Sequence, residues 1–259
     1  MTIIEVFVLG IIEGLTEFLP VSSTGHLILA SNLMGTSNDD FLKTFEIAIQ
    51  LGAILSVVII YFKRFIVGLN IYKKLFVAFI PTGIVGFLAY KTIKLYLFNP
   101  YIVSTMLILG GIALIVLDRW SASRVSTFEK AEDLPLSGAF IVGLVQCLSM
   151  IPGVSRAAAT IFGGLIAGLD RKQATEFSFL LAVPTMCAAT GYDLLKTGTG
   201  FNNEQWLLLA MGGLVSFVSA MIAIKFFIYA VARYGFRHFG YYRILIGLAF
   251  LIVAPPFKS

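Results

Sequence analysis

Glu13 and Glu17 stand four residues apart, a spacing that puts both carboxylates on one face of a helix. Like charges so placed repel unless a proton or a cation lies between them. The pair either lines a helix bundle as a polar stripe or holds a hard divalent cation such as Mg²⁺ together with phosphate oxygens and water. Just beyond Pro20 comes the run Ser22-Ser23-Thr24-Gly25-His26. Hydroxyl residues at a helix start are N-caps, but the free N–H groups there also favour a phosphate, and three hydroxyls with a histidine exceed what a cap needs. Ser23 is a candidate nucleophile. His26, three residues on and on the same helical side, is a candidate acid/base, or a structural hydrogen-bonding histidine. Ser22 and Thr24 are candidate phosphate contacts. A second break at Pro152-Gly153 is followed by Ser155-Arg156. An arginine inside an apolar segment must find an anion or carbonyl groups, and its planar fork suits two phosphate oxygens; pairing with Glu13, Glu17 or Glu176 is the alternative. Ser155 and Thr160, a turn further on, add hydroxyls. Glu46, Gln50 and Glu176 are candidate supporting residues.

The elements that carry these residues belong to a membrane protein. Of 259 residues, 58% are hydrophobic and 13% charged, about half the charge of a soluble domain, and the mean hydropathy is +0.92. A water-soluble enzyme is excluded on this composition, and nucleic-acid binding is not suggested. Cys147 and Cys187 lack metal-ligand spacing and read as small buried hydrophobes. The amino terminus has no basic region of the kind that opens a cleavable signal, since Lys43 is the first lysine. Pro20 and the serines split the first apolar stretch into Ile3 to Leu19 and Thr24 to Leu33, each too short to cross a ~30 Å hydrocarbon core. Together they predict a helical hairpin that enters the membrane and returns. Spanning pieces follow over Phe45 to Phe62, Leu75 to Tyr90 and Ile102 to Leu117, separated by a basic loop from Lys63 to Lys74 and a break at Asn99-Pro100. The polar stretch from Asp118 to Leu136, with Arg119, Arg124, Glu129, Lys130, Glu132 and Asp133, reads as an extramembrane connection.

The pattern then repeats: a broken pair, Ser137 to Ile151 and Ser155 to Leu169, and three longer pieces, Ala174 to Leu195, Trp206 to Ile228 and Tyr241 to Val253. Pro20-Val21-Ser22-Ser23 lies over Pro152-Gly153-Val154-Ser155, and Glu13 over Gln146 with one gap. The expected fold is an all-α polytopic membrane protein, a single integral domain over residues 1–259, with about six transmembrane helices and two re-entrant helical hairpins. A hairpin plus three spans is an odd number of crossings, so the halves, about 1–118 and 137–259, form an inverted repeat, whose binding site falls where the breaks meet near the midplane. Counting basic residues puts five on the side of the amino terminus (Lys43, Lys91, Lys94, Lys196, Lys258) and twelve on the other, from Lys63 to Arg243. Positive residues favour the cytoplasm, so both termini are expected outside. Arg233, Arg237, His238 and Arg243, with Tyr234, Tyr241 and Tyr242, read as a cytoplasmic-side anchor, and Lys225 as a residue that reaches to the interface.

The segment from Glu13 to Leu27 and the run Pro152-Gly153-Val154-Ser155-Arg156 resemble the two signatures of the undecaprenyl-diphosphate phosphatase family, the bacitracin-resistance phosphatases. The likeness continues through Phe45 to Leu55 and Glu176 to Pro184. It implies a bacterial plasma-membrane hydrolase that removes the terminal phosphate of undecaprenyl diphosphate, a polyprenyl diphosphate lipid, and returns the monophosphate carrier to peptidoglycan and other envelope synthesis. It further implies a divalent cation, Mg²⁺ or Ca²⁺, and a site open to the outer face. Carried over residue by residue, Glu13 and Glu17 serve the metal or water, Ser23 is the nucleophile with His26 as acid/base, and Arg156 clamps the phosphate. Attack by Ser23 and attack by water activated by Glu17 or His26 both remain open. The family usually has Ser-Arg-Ser where this chain has Ser155-Arg156-Ala157, which leaves Ser155 and Thr160 to cover the missing hydroxyl. The competing reading is a flippase or transporter for the lipid phosphate, since inverted repeats around a midplane site are also a transporter architecture.

Overall fold

The computed structural model describes residues 1–36, 40–67, 69–96, 100–123, 126–128, 130–197 and 201–253; Asn99, Arg124, Glu129 and Lys258 lie outside them. The regular structure there is helical: α1 (Ile3–Thr16), α2 (Ser23–Met34), α3 (Asp40–Ile60), α4 (Phe62–Val67), α5 (Leu69–Tyr96), α6 (Pro100–Ala122), α7 (Leu136–Gln146), α8 (Arg156–Ile166), α9 (Arg171–Thr197), α10 (Asn203–Tyr234) and α11 (Arg237–Val253), with 3₁₀ turns at Ala131–Asp133 and Cys147–Met150.

α1 begins with a reciprocal cap: the Thr2 side chain accepts from the Glu5 amide while the Glu5 carboxylate accepts from the Thr2 amide. Its 14 residues span only about 21 Å. α1 turns into α2 and packs against α10, and in the second half α7 turns into α8 and packs against α5. Both contacts need glycine. A Cβ on Gly14 of α1 would fall 2.3 Å from the Ser216 carbonyl oxygen of α10, and one on Gly143 of α7 would fall 2.2 Å from that of Ala78 in α5. Backbones that approach this closely are how helices gain packing where no water drives them together. The core holds fully buried aromatics, among them Phe18, Phe177, Phe179, Phe227 and Phe236.

Among the described residues, four helices are long and apolar enough to cross a membrane: Phe41–Ile60, Asn70–Ala89, Tyr101–Ala122 and Asn203–Tyr234. Their outward faces carry Leu55, Phe76, Phe87, Val116, Leu214 and Ile222, all exposed, a surface that only lipid would cover. The chain is a multi-pass membrane protein. Two of the six expected spans differ from these four. α9 is long but polar at its start, with Arg171, Lys172 and Glu176, and α11, at 17 residues, is shorter and interrupted by Arg243.

Other expectations shift as well. The basic residues Lys63, Arg64, Lys73 and Lys74, expected in a loop, lie in helices, the first two in α4 and the last two in α5. The polar connection begins later than Asp118, which belongs to α6, is buried, accepts from the Phe236 amide at 2.9 Å and pairs with Arg171 at 2.8 Å. Glu132 and Glu176 both pair with Arg64. Cys187 is exposed and Cys147 half-buried.

Candidate active site

Both breaks force one serine into an unusual backbone. Ser22 has φ 72° and Ser155 φ 77°, the non-glycine residues with positive φ among those described. Such a conformation costs on the order of 1–3 kcal/mol at a residue with a Cβ, and here it recurs at the residue before each second helix, α2 and α8. Ser155 then caps α8 by accepting from the Ala158 amide at 3.2 Å, while Ser22 makes no side-chain cap. These backbones align the two breaks one residue away from the sequence alignment: by φ, Ser22 lies over Ser155 and Ser23 over Arg156, a spacing that also puts Glu13 over Gln146 without a gap.

Ser23 and Arg156 meet through Glu17. Ser23 Oγ donates to Glu17 Oε2 at 2.5 Å, and Arg156 Nη2 donates to Glu17 Oε1 at 2.9 Å. Arg156 also donates from Nη1 to the Ser178 carbonyl at 3.1 Å and lies over the Phe18 ring, 5.5 Å from its centroid. Its Nε is buried with no acceptor. The carboxylate and the guanidinium are both nearly excluded from the surface, at 8% and 10% side-chain exposure, so their charges are only weakly screened.

They border a cavity of about 540 Å³. Glu17, Ser22, Ser23, Thr24, Gln50, Ser155 and Arg156 line it, and α5 and α9 add Phe79, Phe87, Met186 and Ala189 together with the polar Thr82, Thr185, Thr190 and Tyr192. Pro81 and Pro184 sit inside these last two helices. Gln146 ties the floor together, donating to Thr82 Oγ1 at 2.7 Å and accepting from Thr185 Oγ1 at 3.5 Å.

Other candidates do not line the cavity. Glu13 is fully buried, and neither carboxylate oxygen has a hydrogen-bond partner. Thr160 is buried too, bonded to Ser178 Oγ at 2.6 Å and to the Arg156 carbonyl at 2.9 Å, so it braces α8 on α9. Glu46 accepts from Ser31 at 3.0 Å. His26 turns away from Ser23: Nδ1 lies 2.8 Å from the Ser22 carbonyl oxygen and Nε2 lies 2.8 Å from the Tyr242 hydroxyl, with the two rings stacked. A carbonyl can only accept, so Nδ1 carries the proton; in the neutral ring Nε2 then accepts from Tyr242. No lone pair remains for Ser23.

Arg243 is the residue that sequence reasoning placed elsewhere. It is fully buried rather than at an interface, and its guanidinium reaches both breaks. Its position within the apolar run of α11 is the same signal that singled out Arg156.

Fold and site together define a multi-pass membrane protein in which a hydroxyl and a guanidinium at two helix starts meet on a carboxylate at the end of a third helix, beside a cavity of mixed polar and apolar lining. Residues 6–249 match the family model of the bacitracin resistance protein BacA. The chain is 54% identical over 252 residues to an undecaprenyl-diphosphatase of Persephonella marina, covering 97% of this chain and 99% of that one. It is 51% identical over 251 residues to that of Aquifex aeolicus, covering 96% and 98%. The protein belongs to the BacA family.

Proposed function

We propose that the protein hydrolyses undecaprenyl diphosphate to undecaprenyl phosphate and inorganic phosphate. The observation that carries this reading is the chain Ser23–Glu17–Arg156 at the edge of a cavity that also presents Phe79, Phe87 and Met186. An anion carrier needs a cation and donors; it has no use for a serine whose hydroxyl proton is already held by a carboxylate. The headgroup lies between the amino ends of α2 and α8, where free N–H groups and both helix dipoles favour phosphate, and the prenyl chain leaves along Phe79, Phe87 and Met186.

Ser23 Oγ attacks the terminal phosphorus as its proton passes to Glu17 Oε2. The bond from that phosphorus to the bridging oxygen breaks, and the lipid monophosphate departs with the proton from Glu17. Water then attacks the phosphoserine as one of its protons passes to Glu17; the bond from phosphorus to Ser23 Oγ breaks, inorganic phosphate leaves, and Glu17 returns that proton to Ser23 Oγ. Arg156, with its unclaimed Nε–H and the Nη2–H it shares with Glu17, grips the terminal phosphate oxygens as charge moves onto them. His26 holds Ser22 in its positive-φ backbone and so sets the start of α2.

The carboxylate of Glu13, buried with no hydrogen-bond partner and one helical turn from Glu17, suits a hard divalent cation, Mg²⁺ or Ca²⁺: Mg²⁺ keeps several waters and needs only one or two carboxylates beside phosphate oxygens, whereas Ca²⁺ would draw about six to eight oxygens; Glu17 would be the second ligand. Bound there, the ion would neutralise phosphate charge.

The finer architecture we infer is an inverted repeat, with α1–α2 and α7–α8 as re-entrant hairpins and α3, α5, α6, α9, α10 and α11 as the spans. The exchanged contacts of α1 with α10 and α7 with α5 support it. The excess of lysine and arginine on the opposite side supports placing both termini and the site toward the outer face.

Phosphate release from a short-chain prenyl diphosphate by the purified protein tests the activity, and no release would favour the transport reading. Acid-quenched turnover followed by peptide mass spectrometry tests the route: phosphoserine at Ser23 is expected, and its absence during rapid turnover would assign attack to water held by Glu17.

A further inference from the structure

Arg243 of α11 spends its whole hydrogen-bonding capacity on backbone. A guanidinium has five N–H donors, and all five have carbonyl acceptors: Nε on Leu107 at 3.3 Å, Nη1 on Pro20 and on Val154 at 3.0 Å each, and Nη2 on Met106 at 3.1 Å and on Gly153 at 2.7 Å. Pro20 belongs to the first break, Gly153 and Val154 to the second, and Met106 and Leu107 to α6. One side chain thus joins both breaks to a common strut. The surrounding backbone is shaped to admit it. A Cβ on Gly110 would lie 2.1 Å from Arg243 Nη2, and one on Gly111 would lie 2.6 Å from the Gly240 carbonyl oxygen, so these two glycines let α11 approach α6 closely enough for the side chain to reach across. Gly153 has φ 93° and would meet the Val103 carbonyl oxygen at 2.5 Å if it carried a Cβ, so the second break is seated directly on α6.

A fully buried guanidinium is costly unless its donors are satisfied. No carboxylate pairs with it among the described ion pairs. An anchor that served packing alone would be met as well by an apolar side chain; what this arginine adds is a fixed separation between two loops that share no secondary structure, and a positive charge behind both.

We propose that Arg243 is a positioning residue for the diphosphatase reaction: by tethering Pro20 to Gly153 and Val154 it sets Ser23 and Arg156 at the spacing that one diphosphate headgroup requires. This rests on the diphosphatase reading. The two fail differently, since failure of that reading shows as no phosphate release by the unmodified protein, and failure of the tether shows in an active protein as an indifferent Arg243 variant.

The test is a double-variant cycle on the purified full chain, with phosphate release from a prenyl diphosphate as readout. Misplacing a catalytic group by about 1 Å costs on the order of 100-fold, so Arg243→Gln is expected to lower kcat by about that factor with KM changed less than about threefold. Arg243→Lys keeps the charge and at most three donors, and is expected in between. In an Arg156→Gln background the spacing no longer serves a clamp, and adding Arg243→Gln is expected to cost less than about threefold more. If Arg243→Gln does not accumulate as folded protein, Gly110→Ala takes its place in the cycle, because the new Cβ displaces the guanidinium without removing it. A kcat within about threefold of the unmodified protein, or losses that multiply fully in the Arg156→Gln background, would overturn the proposal.

Discussion

Glu17 Oε2 accepts from the Ser23 hydroxyl, 2.5 Å from Oγ, while its other oxygen takes Arg156. On the proposed mechanism one carboxylate thus orients the nucleophile and restrains the cation before substrate arrives. Glu17→Gln should fold, because the amide can keep one of the two bonds, but it cannot accept a proton from Ser23. We predict a fall in kcat of about 100-fold or more, the usual scale for general base removal, with a smaller change in KM. Steady-state phosphate release measures this, and near-normal kcat would remove Glu17 from the proton path.

Ser23→Ala and His26→Ala separate two roles that their sequence spacing merges. Ser23→Ala should reduce turnover by several orders of magnitude if Ser23 carries the phosphoryl group. His26 is occupied by Ser22 and Tyr242, so His26→Ala should cost only about tenfold, the lower range for an outer-shell contact. Tyr242→Phe should cost less, and the double variant no more than His26→Ala alone. A His26→Ala defect as deep as that of Ser23→Ala would restore the histidine as acid/base.

Arg156→Lys tests the fork. Lysine offers a point charge without planar, paired donors, and it cannot span Glu17, the Ser178 carbonyl and a phosphate together. Turnover should drop by at least about 100-fold, the cost typical of losing a positioned donor to a developing oxyanion; full activity in Arg156→Lys would argue against the clamp.

Chelation should abolish phosphate release, and Mg²⁺ or Ca²⁺ should restore it. In Glu13→Gln the concentration of ion needed for half-maximal recovery should rise by about tenfold or more, as for other weakened ligand sets, while KM for the lipid moves little. Titration with metal at fixed lipid separates these effects, and an unchanged metal requirement would leave Glu13 as a buried structural acid.

Gly14→Ala tests the packing that carries the site. Its Cβ would lie 2.3 Å from the Ser216 carbonyl oxygen, a backbone atom that cannot swing aside. We expect destabilisation of roughly 1–3 kcal/mol, visible as a lower melting temperature of the detergent-solubilised protein. Gly191→Ala, which meets nothing within 4 Å, is the control.

The residues that line the cavity were legible because their chemistry is local. A proline or glycine ends a helix wherever it stands, and the hydroxyls and Arg156 follow directly in the chain. What the chain does not state is direction. His26 is on the expected side of α2, yet its ring turns to Tyr242, a partner 216 positions away. Arg243 has the composition of an interface anchor, and only the fold reveals that carbonyls from both breaks converge on it. The one-residue offset between the halves escaped because it is written in the φ angles of Ser22 and Ser155, and a serine gives no sign that it will adopt them. The basic stretch after Tyr61 looked like a loop because its charges mask a short helix.

Ser23 and Arg156 occupy the same rung, the first residue of the helix that leaves each break. A break of the first kind used twice would bring two serines together, and one of the second kind two arginines; only unlike residues at the two helix starts let Glu17 take a hydroxyl on one oxygen and a guanidinium on the other. The asymmetry between the two starts, more than their likeness, is therefore what gives this centre its mixed donor set.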